Sequence, residues 1–169
     1  MHKKLFHINL TQHYQFITFR TKDSIDGYVN KIQNLDIQTK AKQYKIDKYL
    51  DNSTNGAYFF GDKIEIMRDI IFEKNSLLYE LEVVCIMPNH VHLLLQQKDD
   101  ISKIMKFLKG KSGVELNKSL LRSGTFWAEG YYDKAIRNQK HYDGVFEYIV
   151  NNPVKANLKE VRVFSRYEL

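Results

Sequence analysis

Residues 79–97, YELEVVCIMPNHVHLLLQQ, leave the chain few ways to fold. Two runs rich in Val, Leu and Ile flank Pro88-Asn89, where proline interrupts a ladder and asparagine accepts a turn conformation. Runs of this length bounded by turn residues read as strands, and so short a connection makes them an antiparallel pair. Side chains alternate across a strand, so His90 and His92 share one face while Val91, Leu93 and Leu95 line the other. The apolar face can fill a core. The opposite face sets two imidazoles side by side in the most apolar part of the chain, where an unpaired ring nitrogen carries a desolvation cost. Two imidazoles at this spacing can hold one divalent cation through neutral ring nitrogens, with the remaining ligands drawn from elsewhere. The plainer alternative is two ordinary strand histidines, one hydrogen-bonded and one half exposed. The cysteine spacings of structural zinc sites and the H-E-x-x-H pattern are both absent.

The rest of the chain supplies helices and a partner strand. HYQFITFRT (13–21) alternates as a strand, with Tyr14, Phe16 and Thr18 on one face. From Ser24 to Leu50 the spacing of Ile25, Tyr28, Val29, Ile32 and Leu35 predicts one or two helices, and DNSTNG (51–56) a loop. Ile64, Met67, Ile70 and Ile71 predict an amphipathic helix with Asp62 at its N-cap. A further helix follows Asp99-Asp100, irregular near Gly110 and Gly113. YYDKAIRN reads as a short strand, and QKHYDGVFEYIVNN as a last helix closed by Pro153. Strands and helices mix without strict βαβ alternation, which points to an α+β fold: an antiparallel sheet with helices packed on it.

A chain of 169 residues fits one domain, 1–169, with 24–50 as a helical elaboration. No apolar run is long enough to span a membrane, and the N-terminal MHKKLFHINLTQHYQF lacks the features of a leader peptide. A single cysteine, Cys85, excludes an internal disulfide framework and fits a reducing cytoplasm. The net charge of +6 favours a polyanionic partner, and 11 tyrosines suit either base stacking or a well-filled core. Much of the positive charge sits on the helix after residue 100, where Lys103, Lys106, Lys109 and Lys111 can contact phosphates or simply face solvent.

On the last helix, Tyr148 and Asn152 stand one turn apart and share a face. A tyrosine facing a metal can act as a nucleophile, although a free phenol titrates near ~10 and needs help. Spacing alone leaves Tyr131, Tyr132 and Tyr142 as rivals.

Three segments in this order, MPNHVHLLL, FWAEGYYDKAIRN and YIVNNPVKANL, resemble the REP-associated tyrosine transposases, single-tyrosine members of the HUH endonuclease superfamily. The likeness runs from about Ala57 to Leu158 and takes in the early strand FITFRTKDS. It implies a ferredoxin-like antiparallel sheet flanked by helices, with the histidine pair on a central strand. It further implies His90 and His92 as metal ligands, Tyr148 as nucleophile in place of Tyr142, and Asn152 as a third, neutral ligand. Arg137, within the second motif, becomes a DNA-contact candidate. The implied activity is cleavage and rejoining of single-stranded DNA beside a hairpin, with Mg²⁺ or Mn²⁺ and a 5′-phosphotyrosine intermediate, by a monomer or homodimer. A hairpin-binding protein that no longer cuts, and a metal-dependent hydrolase that uses water, are the alternatives.

Overall fold

Five strands, each antiparallel to its neighbours, form one sheet in the computed structural model, which describes residues 12–166. Most of the N-terminal run MHKKLFHINLTQHYQF, and the last three residues of the chain, lie outside the described residues. β1 (Tyr14–Arg20) is followed by three helices, α1 (Gly27–Gln33), α2 (Thr39–Leu50) and α3 (Asp62–Glu73). The hairpin β2 (Tyr79–Ile86) and β3 (His90–Gln97) comes next, then α4 (Ile101–Ser119), β4 (Tyr132–Ala135), α5 (Gln139–Lys155) and β5 (Val163–Ser165). The order across the sheet is β4-β1-β3-β2-β5. Its first four strands follow the ferredoxin-like split-βαβ pattern, and β5 covers the free edge of β2. β3, which begins at His90, is therefore the middle strand of the five.

The register divides the sheet into two faces. Ile17 and Phe19 pair with Leu93 and Val91, and this face packs on α3 and α4 in the larger core with Met67, Ile71, Ile104 and Leu108. On the other face Phe16 pairs with Leu94, Thr18 with His92 and Arg20 with His90, while Cys85 pairs with His92 from β2. α5 covers this second face through Val145 and Ile149. A bulge between Leu81 and Val83 lets β2 present Leu81 and Val84 to the first face and Val83 to the second.

Several local expectations are corrected. α4 runs unbroken through Gly110 and Gly113, because burial of Ile104, Met105, Leu108 and Leu116 outweighs about 1 kcal/mol of helix propensity lost at each glycine. α5 continues past Pro153 to Lys155; proline forfeits the N–H bond to the carbonyl of Ile149, and burial of Val145, Ile149, Asn152 and Pro153 itself carries the helix through it. Gly61, rather than Asp62, holds the N-cap position of α3, and Asp62 is its first helical residue. The 24–50 segment, by contrast, forms the expected helices, α1 and α2, which follow a 3₁₀ turn at Lys22–Ser24 and share a small core of their own, Val29, Ile32, Ile46 and Leu50.

Backbone contacts stitch that excursion to the hairpin. Tyr58 N–H and Phe59 N–H both donate to Pro88 O, at 2.8 and 3.1 Å. Thr21 Oγ1 donates to Gly56 O at 2.9 Å. Gly56 is required there: its φ is +63°, and a Cβ would stand 2.3 Å from Thr21 Oγ1.

Candidate active site

The site is built upward from the hairpin turn. Asn89 is fully buried, and its amide nitrogen donates to Leu50 O (3.2 Å), Ser53 O (3.2 Å) and Asn55 O (3.3 Å). Those carbonyls fix the amide orientation, so Oδ1 faces His90 Nδ1 at 2.8 Å. A carbonyl oxygen only accepts, so the His90 proton is on Nδ1 and Nε2 presents a lone pair. His92 Nδ1 bonds to Thr18 Oγ1 at 2.7 Å, across the β1–β3 ladder. Both Nε2 atoms are buried and have no hydrogen-bond partner. Burial and the neighbouring His92 and Arg20 hold His90 well below the usual imidazole range, and burial lowers His92 to about 3. Both rings are thus neutral near pH 7, the form that ligates a cation.

α5 brings Tyr148 to this pair. Its ring lies edge-on to His92, with centroids 5.4 Å apart, and against Phe16 at 6.0 Å. Tyr148 Oη donates to Asp47 Oδ2 at 3.2 Å. Asn152 follows one turn further along α5, and its Oδ1 is buried without a partner. Burial first, then the charges of Asp47 and Asp51, push the Tyr148 phenol far above its ordinary value. Burial raises the Asp47 carboxyl to about 8 and that of Asp51 to about 6. An aromatic floor, neutral imidazoles and reluctant carboxylates make up the site, with the guanidinium of Arg20, which pairs with His90 across the β1–β3 ladder, as the positive charge beside them. Ligand atoms of Asp47, His90 and His92 all lie within 4.8 Å of one another, an arrangement that could hold a metal ion. The unpartnered Nε2 atoms fit such an ion in chemistry as well as in position, and the buried, unpartnered Asn152 oxygen is of a kind that ligates one.

Residues 48–152, well over half of the chain, match the family model described as "Transposase IS200 like". The chain belongs to the IS200-like transposase family. The resemblance read from the three segments is borne out at that level. A Haemophilus influenzae protein named as a candidate REP-associated tyrosine transposase is 30% identical over 95 residues. That match takes in 49% of this chain and 54% of the relative, so the chain spans about half the length of the curated relative it matches. A solved REP-associated tyrosine transposase, bound to a REP hairpin, aligns over 90% of this chain and 73% of its own at 20% identity and a TM-score of 0.49. A structure described as a candidate transposase from Deinococcus radiodurans aligns over 90% and 98% at 20% identity and 0.41. Likenesses this loose transfer no residue roles.

Within this IS200-like transposase, His90, His92, Tyr148 and Asn152 converge, whereas the α4 lysines stand apart from them. α4 packs on the sheet face opposite the histidines. There Lys103 pairs with Asp99 at 2.6 Å, Lys111 pairs with Glu73, and Lys109 donates to Ala128 O and Gly130 O at 2.7 Å each, while Lys106 is exposed. Arg137 is exposed just before α5. Trp127 is core, stacked on Phe59 with its indole N–H donating to Ser112 Oγ at 2.9 Å. Among the described residues no helix is long and apolar enough to cross a membrane. Sequence reasoning missed Asp47, Asp51 and Thr18. Thr18 was recoverable from strand alternation once β1 and β3 were paired. The two aspartates share a helix face at i, i+4 spacing, but nothing local to α2 says which partner that face meets.

Proposed function

We propose that the protein is a metal-dependent single-stranded DNA endonuclease and transposase that nicks and rejoins DNA beside hairpins, using Tyr148 as nucleophile. The observation that carries this reading is the meeting of Tyr148 with two buried histidines whose Nε2 atoms have no partner. His90 and His92 would hold Mg²⁺ or Mn²⁺ through Nε2, with Asn152 Oδ1 as an oxygen ligand, and the ion would polarise a phosphodiester oxygen and offset the charge of a phenolate. Asp47, bonded on one oxygen by Gln43 and on the other by Tyr148, holds the phenol at the histidine pair. Tyr148 Oη forms a bond to phosphorus and loses its proton as the bond from phosphorus to the 3′ oxygen breaks. The leaving oxygen takes up a proton and becomes a 3′-hydroxyl. The 5′-phosphotyrosine link keeps the phosphodiester energy, so a second 3′-hydroxyl can reverse the step without a nucleotide cofactor. The family supports DNA as the substrate, and the name of the Haemophilus relative supports REP elements within it. Lys103, Lys106, Lys109, Lys111 and Arg137 are the proposed phosphate contacts, and a cytoplasmic monomer or homodimer is the proposed form.

The test is incubation with labelled single-stranded hairpin oligonucleotides and Mn²⁺, followed by denaturing electrophoresis. A covalent protein–DNA adduct is expected, lost with chelator and in Tyr148→Phe. An adduct that survives Tyr148→Phe overturns the assignment. Tight binding without cleavage identifies a hairpin-binding protein instead, and strand release without any adduct identifies a hydrolase that uses water.

A further inference from the structure

β1 lines the site with three side chains from one face. Phe16 packs against Tyr148 and His92, Thr18 bonds to His92, and Arg20 ends the row opposite His90. The backbone at that end is fixed: Ala128 N–H donates to Arg20 O at 2.9 Å, and Thr21 N–H donates to Asn89 O at 2.9 Å. The side chain is held by less. Arg20 Nε is buried without a hydrogen-bond partner, and Arg20 belongs to none of the ion pairs among the described residues. Asp47 is the carboxylate whose charge it feels, yet the two oxygens of Asp47 accept from Gln43 and Tyr148. Arg122 and Arg162 also leave one nitrogen each unpartnered, but each holds a carboxylate with another, Asp23 at 2.9 Å and Glu160 at 2.6 Å. Among the described residues Arg20 has no such acceptor. A guanidinium stays protonated throughout the physiological range, so its burial without an acceptor carries a desolvation cost that a bound anion would offset.

We infer that Arg20 binds the scissile phosphate, its guanidinium donating to a non-bridging oxygen of the group that Tyr148 attacks. This rests on the reading that Tyr148 attacks a phosphodiester beside the histidine pair. A planar fork of N–H donors matches the oxygens of a phosphate, and hydrogen bonds between opposite charges are the strong ones. An ion on His90 and His92 would take one non-bridging oxygen, and Arg20, across the ladder from His90, is placed for the other. As Tyr148 Oη bonds to phosphorus, negative charge builds on those oxygens. Donors already fixed toward that charge stabilise the transition state more than the bound substrate. The guanidinium donates hydrogen bonds and gives up no proton, so the proton balance of the transfer is unchanged. Arg20 thus completes the row on β1: an aromatic ring under the tyrosine, a hydroxyl on one histidine, and a cation for the phosphate.

The experiment compares hairpin oligonucleotides carrying either a normal phosphodiester or a neutral methylphosphonate at the position where the wild-type protein forms its adduct. Binding is read by fluorescence anisotropy with chelator present and in a Tyr148→Phe background, so that neither an ion nor cutting contributes. Removal of that one charge is expected to weaken binding about tenfold with Arg20 in place, about threefold with Arg20→Lys and not measurably with Arg20→Gln. With Mn²⁺ and the normal phosphodiester, Arg20→Gln is expected to form adduct about a hundredfold more slowly at saturating DNA. Its Mn²⁺ uptake, read by electron paramagnetic resonance, is expected to match that of wild type, and circular dichroism checks the fold. An equal methylphosphonate loss in the Arg20 and Arg20→Gln proteins overturns the assignment. So does adduct formation by Arg20→Gln at the wild-type rate, or Mn²⁺ uptake that falls in step with the adduct rate. If Arg20→Gln does not fold, an undiminished methylphosphonate loss in Arg20→Lys overturns it in the same way. A wild-type protein that forms no adduct removes the nicking reading and this inference together, whereas a wild-type adduct without Arg20 dependence removes this inference alone.

Discussion

Two regions meet at the site and are built in opposite ways. The β2–β3 hairpin is apolar on both faces, sits in the middle of the sheet and belongs to both main cores. The α1–α2 excursion has only Val29, Ile32, Ile46 and Leu50 as its buried core, with Tyr28 and Tyr44 largely in water. It is held by polar ties: the Asn89 amide to three carbonyls, Pro88 O to two backbone amides, and Thr21 to Gly56. The hairpin supplies rigid nitrogen donors, whereas the excursion supplies carboxylates on a helix with little apolar anchorage. Regions with few buried apolar contacts open first, so the acidic side of the site is the one expected to move.

The largest test of this contrast is Gly56→Ala. The positive φ is strained for alanine, and the new Cβ would meet Thr21 Oγ1 at 2.3 Å and Ser24 N at 2.6 Å. A loss of about 3 kcal/mol is expected in urea unfolding. Amide exchange should accelerate across 27–55 and stay slow in 79–97. Uniform acceleration would mean that the two regions form one cooperative unit.

The next effect is a gain in stability. Burial raises the Asp47 carboxyl to about 8, while the unfolded chain releases that proton near ~3.9. Between those values the folded state holds more protons than the unfolded state, so stability of the metal-free protein is greatest below about pH 4 and declines as pH rises toward 8. Asp51, raised to about 6, adds to the same decline. Asp47→Asn removes the larger share. It should be more stable than wild type at pH 8, by on the order of 2 kcal/mol or about 5 °C in Tm, and nearly equal to it at pH 4. It should also form adduct more slowly, because the Tyr148 hydroxyl loses its carboxylate acceptor. A variant no more stable than wild type at pH 8 would show that the carboxylate is compensated in solution.

The same contrast explains what could be read from the sequence. Strand alternation is a two-residue rule, so the faces of β3 and β1, and hence the histidine pair and its apolar backing, follow directly from residues 13–21 and 90–97. The three transposase-like segments carry Tyr148 and Asn152 because those residues lie within the segments. Asp47 and Asp51 were illegible for a physical reason. Their helix is polar on most sides, and its place in the fold is set by hydrogen bonds that the Asn89 amide donates to backbone carbonyls and that Pro88 O accepts from backbone N–H groups, which no side-chain pattern in α2 encodes. The unbroken course of α4 through two glycines, and of α5 through Pro153, likewise reflects tertiary packing overriding local preference.

The smallest expected effect concerns the two faces of the sheet. Lys106 is exposed on α4, across the sheet from Tyr148, and Arg137 is exposed at the start of α5, the helix that carries Tyr148. Lys134 and Arg137 both lower the His141 imidazole, which places these positive groups near one another. A phosphate bound there would therefore gain from more than one charge. If hairpin DNA reaches Tyr148 along α5, Arg137→Gln should weaken its binding about threefold and lower the slope of log affinity against log salt by about 0.9, while Lys106→Gln should change both by less. The reverse ranking would mean that DNA crosses α4 and wraps the sheet edge to enter the site. In that case the α4 lysines, despite their local ion pairs, form the principal backbone track, because exposed pairs worth at most about 1 kcal/mol exchange readily for phosphate.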